Sequence, residues 1–98
     1  MPADEALSET IVFELPFRTR AESLRERLRL RWHVGLYEGD DVVLVAAELQ
    51  AREGDLAVLL REVELWLGDS NVGIVRFHLD ARTYVLEAGF GLRKPAAA

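Results

Sequence analysis

The chain contains no cysteine. This absence excludes a disulfide, a thiolate nucleophile and a zinc site built on cysteine ligands. Only two histidines are present, His33 and His78, and they do not stand at the spacing of a metal motif. No third obvious nitrogen or sulfur ligand accompanies them, so we expect neither a metal site nor another cofactor.

Long apolar stretches are also missing. No run approaches the roughly 20 residues that a membrane helix needs, and residues 1–5 lack the segments of a signal peptide. Half of the 98 residues are apolar and 30% are charged, which is typical of a folded domain. We therefore expect one soluble, cytoplasmic domain with no membrane contact. Its predicted parts are a flexible N-terminus (residues 1–9), a folded core (10–88) and a loose C-terminal tail (89–98).

Lysine is almost absent, since eleven of the twelve basic residues are arginine. The net charge of −5 argues against binding to nucleic acid. Residues 18–31 nevertheless hold six arginines and two glutamates, which is +4 and leaves −9 for the rest of the chain. Through Arg20, Arg27 and Arg31 this stretch can contact an acidic partner protein, or it can pair with acidic residues of the same chain. No aromatic residues interleave with the arginines, which weighs against the third possibility, a nucleic-acid surface.

Hydrophobic periods of two and of 3.6 residues alternate along the chain. Ala21, Leu24 and Leu28 share one helical face, with Thr19 and Glu22 placed as a capping box before it. The second helix is predicted to begin at an N-cap, Asp55, and to stop at Gly68. The predicted elements are strand 10–15, helix 20–30, strand 31–37, strand 42–47, helix 55–67, strand 73–80 and strand 83–88.

The order β-α-β-β-α-β with an extra strand predicts an α+β fold. Its simplest form is a ferredoxin-like two-layer sandwich, with both helices on one face of an antiparallel sheet. In element order the chain resembles ferredoxin-like modules, including the amino-acid-binding ACT domains and the dimeric α+β barrel proteins. Residues 15–19 replace the glycine-containing ligand loop of ACT domains, and the resemblance implies no site residue. The extra strand, 83–88, can pair at a sheet edge or with a second subunit.

Two features predict self-association. The run 42–47 is apolar throughout, although a strand with one open face should alternate. Covering Val43 and Val45 with a symmetry mate would explain this run. Val58 and Leu65 also point away from the predicted core, at positions i and i+7 of the second helix. We therefore expect a homodimer.

Strand alternation also places five polar residues on the sheet face away from the helices: Glu14, His33, Tyr37, Arg76 and His78. Together they could bind an anion, position a small polar ligand or perform acid–base chemistry. The alternative is an ordinary solvated face. Residues 38–41 hold three carboxylates that could attract a cation, but their order is that of a hairpin turn.

No nucleophilic motif is present, since Ser70 lies outside any G-x-S-x-G context. We expect a small homodimeric regulatory or interaction domain that binds a protein or a small ligand without catalysis. The second hypothesis is a small dimeric α+β-barrel enzyme that uses the five polar residues. Whether the chain is an enzyme is left open by its sequence.

Overall fold

The computed structural model describes residues 9–50, 53–88 and 91–93. The elements are β1 (Thr10–Leu15), α1 (Arg18–Leu28), β2 (His33–Glu38), β3 (Val43–Glu48), α2 (Asp55–Asp69), β4 (Ile74–Leu79), β5 (Arg82–Glu87) and β6 (Gly91–Arg93). One sheet has the strand order β2-β3-β1-β4-β5-β6, and every pair is antiparallel. This confirms the predicted α+β class, and all seven predicted elements are present. Neither helix of the described ranges is long and apolar enough to cross a membrane.

The ends of the fold differ from the prediction. β5 pairs with β4 inside the chain, which settles the alternatives left open for strand 83–88. The short strand β6 pairs with β5 within the segment predicted as a loose tail, so that prediction is wrong for residues 91–93. A three-residue strand is too short to show a period. Residues 1–8 lie outside the described residues, whereas the Glu9 carbonyl accepts a 2.7 Å hydrogen bond from the Leu49 amide.

The core lies between the helices and one face of the sheet. A row of five directly paired residues crosses that face: Leu36, Val45, Phe13, Phe77 and Tyr84. The rings of Phe13 and Phe77 are 5.5 Å apart between centroids, and those of Phe77 and Tyr84 are 5.3 Å apart. Aromatic pairs at these separations add stability beyond the area they bury. This row fixes the register of β1, β4 and β5, and hence the face on which their other side chains lie.

Helix α1 buries Ala21, Leu24 and Leu28 against the sheet, as the spacing predicts. Its predicted capping box is wrong, because the helix already begins at Arg18 and makes no side-chain cap. Glu22 instead accepts a 3.0 Å hydrogen bond from Arg18 Nε, one turn earlier. Such i, i+4 pairs support the first turn of a helix at little energetic gain.

Helix α2 also begins and ends differently from the prediction. Gly54, in the left-handed region at φ 84°, is the N-cap, and Asp55 is the first helical residue. The helix continues past Gly68, and Asn71 reverses the chain at φ 60°. The Val72 amide then donates to the Leu67 carbonyl at 3.1 Å, the bond of a Schellman motif, in which asparagine can replace glycine.

The turn between β4 and β5 stores strain at an alanine. Asp80 and Ala81 have φ of 55° and 62°, as a two-residue type I′ turn requires. Asparagine, aspartate and glycine enter this region readily, but alanine does so at a cost of about 1 kcal/mol. We expect Ala81→Gly to raise the free energy of unfolding by about 0.5–1 kcal/mol in urea denaturation.

The matched control is the same substitution in a helix. Ala57 is exposed in the first turn of α2, where glycine is expected to lower the free energy of unfolding by about 0.5–1 kcal/mol. Destabilisation of similar size by both substitutions would contradict the left-handed turn.

Candidate functional site

All five predicted site residues lie on one face of the sheet, opposite the helices, which we call the outward face: Glu14, His33, Tyr37, Arg76 and His78. They form two groups. Glu14, Arg76 and His78 are neighbours on β1 and β4, whereas His33 and Tyr37 lie on β2, with β3 between β2 and β1. Strands are about 4.8 Å apart, so roughly 10 Å separates the backbone of β2 from that of β1. The five residues therefore form two separate groups on the outward face and not one cluster.

The first group is a hydrogen-bonded chain across β1, β4 and β5, which we call the relay. His78 Nε2 contacts Glu14 Oε2, and His78 Nδ1 lies 2.9 Å from Thr83 Oγ1. An ionised carboxylate can only accept, so Nε2 carries the proton when Glu14 is ionised. Nδ1 of the neutral imidazole then accepts a hydrogen bond from the Thr83 hydroxyl.

The relay has the order hydroxyl, imidazole, carboxylate, in which the imidazole can take a proton from the hydroxyl. The His78 side chain is 39% exposed and that of Glu14 is 25% exposed, so both are within reach of solvent. Arg76 is paired directly with Glu14 across the strands and adds a positive charge to this side of the face. Sequence reasoning missed Thr83. Its signal was the two-residue turn at residues 80–81, which sets Thr83 opposite His78.

The second group borders a hollow of about 340 Å³ at the β2 edge of the outward face, which we call the edge hollow. His33 and Tyr37 flank Gly35 on β2, while Glu48 and Thr10 lie on the neighbouring strands. A Cβ built on Gly35 would lie 2.7 Å from the Tyr37 hydroxyl oxygen, so the tyrosine ring lies over the glycine. Thr10, Gly35 and Glu48 were missed because their roles depend on strand pairing.

The prediction is wrong for two of the interface residues, which lie in the core and not on the surface. Val43 and Val45 face the helices and are buried in the core, so a partner cannot reach them. An apolar run has no period, and its face is decided by pairing, here of Val45 with Leu36 and Phe13. The other two, Val58 and Leu65, are exposed on α2, away from the core.

The three arginines predicted as partner contacts mostly meet their own chain. Arg27 Nε donates to Glu62 at 3.2 Å and Arg27 Nη1 to Asp69 at 3.3 Å, which joins the two helices. The hydrogen bond to Glu62 raises the pKa of Arg27 above its ordinary value. Arg20 Nη1 donates to the Ser70 carbonyl at 2.8 Å, whereas Arg31 is exposed. Pairing with acidic residues of the same chain, the alternative left open by the sequence, accounts for Arg27, whereas Arg20 bonds to a backbone carbonyl.

Residues 38–41 form the predicted hairpin turn, in which the Gly39 amide donates to the Val42 carbonyl at 2.9 Å. Glu38 pairs with Arg18, which neutralises one of the three carboxylates. Among the residues that the structure describes, no three histidine, aspartate or glutamate side chains come together to hold a metal ion.

The outward face thus carries the hydrogen-bonded relay on β1, β4 and β5 and a separate edge hollow at β2 and β3. Both are built by strand register, and neither is visible as a sequence motif. Comparison with known proteins leaves the function to be argued from this geometry, because no family model, curated protein or solved structure matches the chain.

Proposed function

We propose that this chain is a ferredoxin-like module that pairs with a second copy through its outward face and binds a small polar ligand there. The order β2-β3-β1-β4 of its first four strands supports the ferredoxin-like class. Each helix follows one of the two neighbouring strands β1 and β3, as a split β-α-β arrangement requires.

The observation that carries the proposal is an apolar strip in the middle of the outward face. Val12, Leu44 and Ala46 are only half-buried there, side by side on β1 and β3, and no described element covers them. The relay borders the strip on one side and the edge hollow on the other. An apolar centre with a polar rim is the pattern of a protein interface.

A second copy of the chain suits this surface in size and symmetry. Five six-residue strands about 4.8 Å apart and about 20 Å long present roughly 500 Å² in plan. Two such faces together bury about 1,000 Å², which is the lower end of a specific interface. Packing like on like needs only a two-fold axis. We therefore expect a weak dimer that dissociates on dilution.

The dimer is tested by one substitution made on two surfaces. Val12→Asp puts a carboxylate into the apolar strip of both copies, which should raise the dissociation constant at least about 100-fold. Val58→Asp puts the same group on exposed α2 and should leave the dimer intact. Native mass spectrometry and light scattering over a dilution series measure both.

Three outcomes contradict the proposed interface: a monomeric wild type at every concentration, a Val12→Asp dimer of wild-type affinity, and dissociation by Val58→Asp alone. The last result would place the interface on α2. Circular dichroism shows whether each variant is folded. If Val12→Asp does not fold, the isosteric Val12→Thr makes the same test, with dimerisation weakened by roughly tenfold.

The relay favours a second candidate function, acid–base catalysis by the outward face. Its specific support is the 2.9 Å contact between His78 Nδ1 and the exposed Thr83 hydroxyl, with Glu14 on the other ring nitrogen. Any catalysis by this relay must disappear in His78→Ala and persist in His33→Ala, because His33 belongs to the separate edge hollow. Equal loss in both variants would contradict the relay.

A further inference from the structure

We infer that the edge hollow binds an organic cation, a primary ammonium group attached to a small apolar or aromatic body. The inference rests on the ligand-binding role proposed above and names the chemical class of that ligand. The hollow lies on the edge strand β2, at the rim of the proposed interface, and is lined by residues of β1, β2 and β3. We expect one chain to bind the cation.

The shape of the hollow depends on a glycine in the middle of a strand. Gly35 sits third in β2, where glycine is unfavourable and its φ lies outside the left-handed region. Backbone conformation therefore does not explain why this residue is a glycine. The close approach of the Tyr37 ring does, because the ring lies over the position that a side chain at residue 35 would fill. The ring is thereby laid along the sheet with its outer surface free, since Tyr37 is 59% exposed.

The charge of the hollow selects a cation. Glu48 contributes a carboxylate, and the residues that line the hollow include no arginine or lysine. Within the described residues, the Glu48 side chain makes no ion pair or hydrogen bond, so its oxygens can accept from a ligand. An aromatic face next to a carboxylate attracts an organic cation through both its ring quadrupole and direct charge.

The remaining lining residues refine this class. Glu48 and the Thr10 hydroxyl both accept hydrogen bonds, which a primary ammonium group can donate and a quaternary one cannot. Ala46 and the Tyr37 ring that lies over Gly35 form an apolar floor for the body of the ligand. A volume of about 340 Å³ is at the small end of ligand pockets, so the body is limited to a small group.

A larger hollow, of about 400 Å³, lies at the start of α2 but does not carry the same inference. Arg31 and Glu53 on its rim are of opposite charge. Its buried carboxylate, Asp55, already accepts hydrogen bonds from Trp32 Nε1 and the backbone amide of Gln50. This second hollow therefore serves as an internal control.

The test is a titration followed by amide chemical shifts in ¹⁵N-labelled protein, with 2-phenylethylamine as the probe and neutral 2-phenylethanol as its isostere. We expect saturable shifts on β2 and β3 with the amine, at a dissociation constant in the millimolar range usual for so small a ligand. The alcohol should bind at least about fivefold more weakly, because it lacks the ion pair. Equal binding of the two probes would overturn the inference.

Two matched pairs of variants locate the site. Glu48→Gln should weaken amine binding about five- to tenfold, whereas Glu53→Gln, in the second hollow, should leave it unchanged. Gly35→Ala should displace the Tyr37 ring and abolish measurable binding, with a urea midpoint near that of wild type. Unchanged affinity in Glu48→Gln or in Gly35→Ala, or a loss in Glu53→Gln, overturns the assignment.

The same titration on Val12→Thr, at concentrations where this variant is monomeric, separates this inference from the proposed dimer. Val12 pairs with Ala46 beside the hollow but does not line it, and threonine adds no charge there, so amine binding should persist in the monomeric variant within about twofold. If the wild type is monomeric and still binds the amine, the cation site is supported and the proposed dimer is contradicted. Loss of binding on dissociation would overturn the inference that one chain supplies the whole site.

Discussion

Replacing Phe77 with alanine is expected to lower the free energy of unfolding by about 3–5 kcal/mol. Phe77 is 1% exposed and its ring lies between those of Phe13 and Tyr84. Truncation removes buried apolar area and both ring contacts, and it leaves a cavity that the strands cannot close. Urea denaturation followed by the fluorescence of the two buried tryptophans measures the loss.

The control lies on the same strand. Ile74 is exposed on the outward face of β4, so Ile74→Ala should cost less than about 1 kcal/mol. A domain of this size is stable by only about 5–15 kcal/mol, and the alanine variant at 77 can fail to fold. In that case Phe77→Leu makes the same test and should lower the free energy of unfolding by about 1–2 kcal/mol. Equal costs at positions 74 and 77 would contradict the register of β4.

Replacing Asp55 with alanine is expected to cost about 2–4 kcal/mol. This carboxylate is 9% exposed and is hydrogen-bonded to two other segments of the chain. Trp32 Nε1 donates to its oxygens at 3.0 and 3.2 Å, and the backbone amide of Gln50 donates at 2.8 Å. Removing the carboxylate leaves the buried indole N–H without an acceptor, which costs more than the bond itself contributes.

Two companion variants separate these bonds from charge at the helix end. Asp55→Asn keeps an acceptor oxygen and should cost about half as much as alanine. Asp69→Ala removes an exposed carboxylate from the other end of the same helix and should change stability by less than about 1 kcal/mol. Denaturation curves give all three values, and Trp32 emission reports the loss of its partner. A cost at Asp55 no larger than that at Asp69 would contradict a structural role for this carboxylate.

The role of Asp55 also shows how far local pattern reasoning reaches. The sequence placed a helix start within one residue of the true one, because helix starts carry a local signature. The sequence predicted Asp55 as the N-cap, whereas the N-cap in the structure is Gly54. The side chain instead bonds to Trp32, 23 residues away, and no local pattern contains that distance. The predicted capping box of Thr19 and Glu22 failed in the same way. Helix α1 begins earlier, at Arg18, and Glu22 forms an ion pair with Arg18.

The outward face was predicted in its membership but not in its arrangement. Alternation along each strand is local, so Glu14, His33 and His78 were assigned to one face by counting residues. Their separation into relay and edge hollow depends on β3 lying between β2 and β1, which alternation cannot reveal. Thr83 belongs to the relay because it pairs with His78 across the strands, and Glu48 belongs to the edge hollow because it pairs with His33.

The amino-acid pattern alone was therefore enough for the class of the fold, the seven longer elements and the core stripe of α1. Each of these depends on periods that neighbouring residues create together. The apolar run 42–47 has no such period, and only its pairing with β1 and β2 turned Val43 and Val45 inward and Leu44 and Ala46 outward. Tertiary structure likewise decided strand order and β6, because hydrogen bonds between strands join residues far apart in the chain.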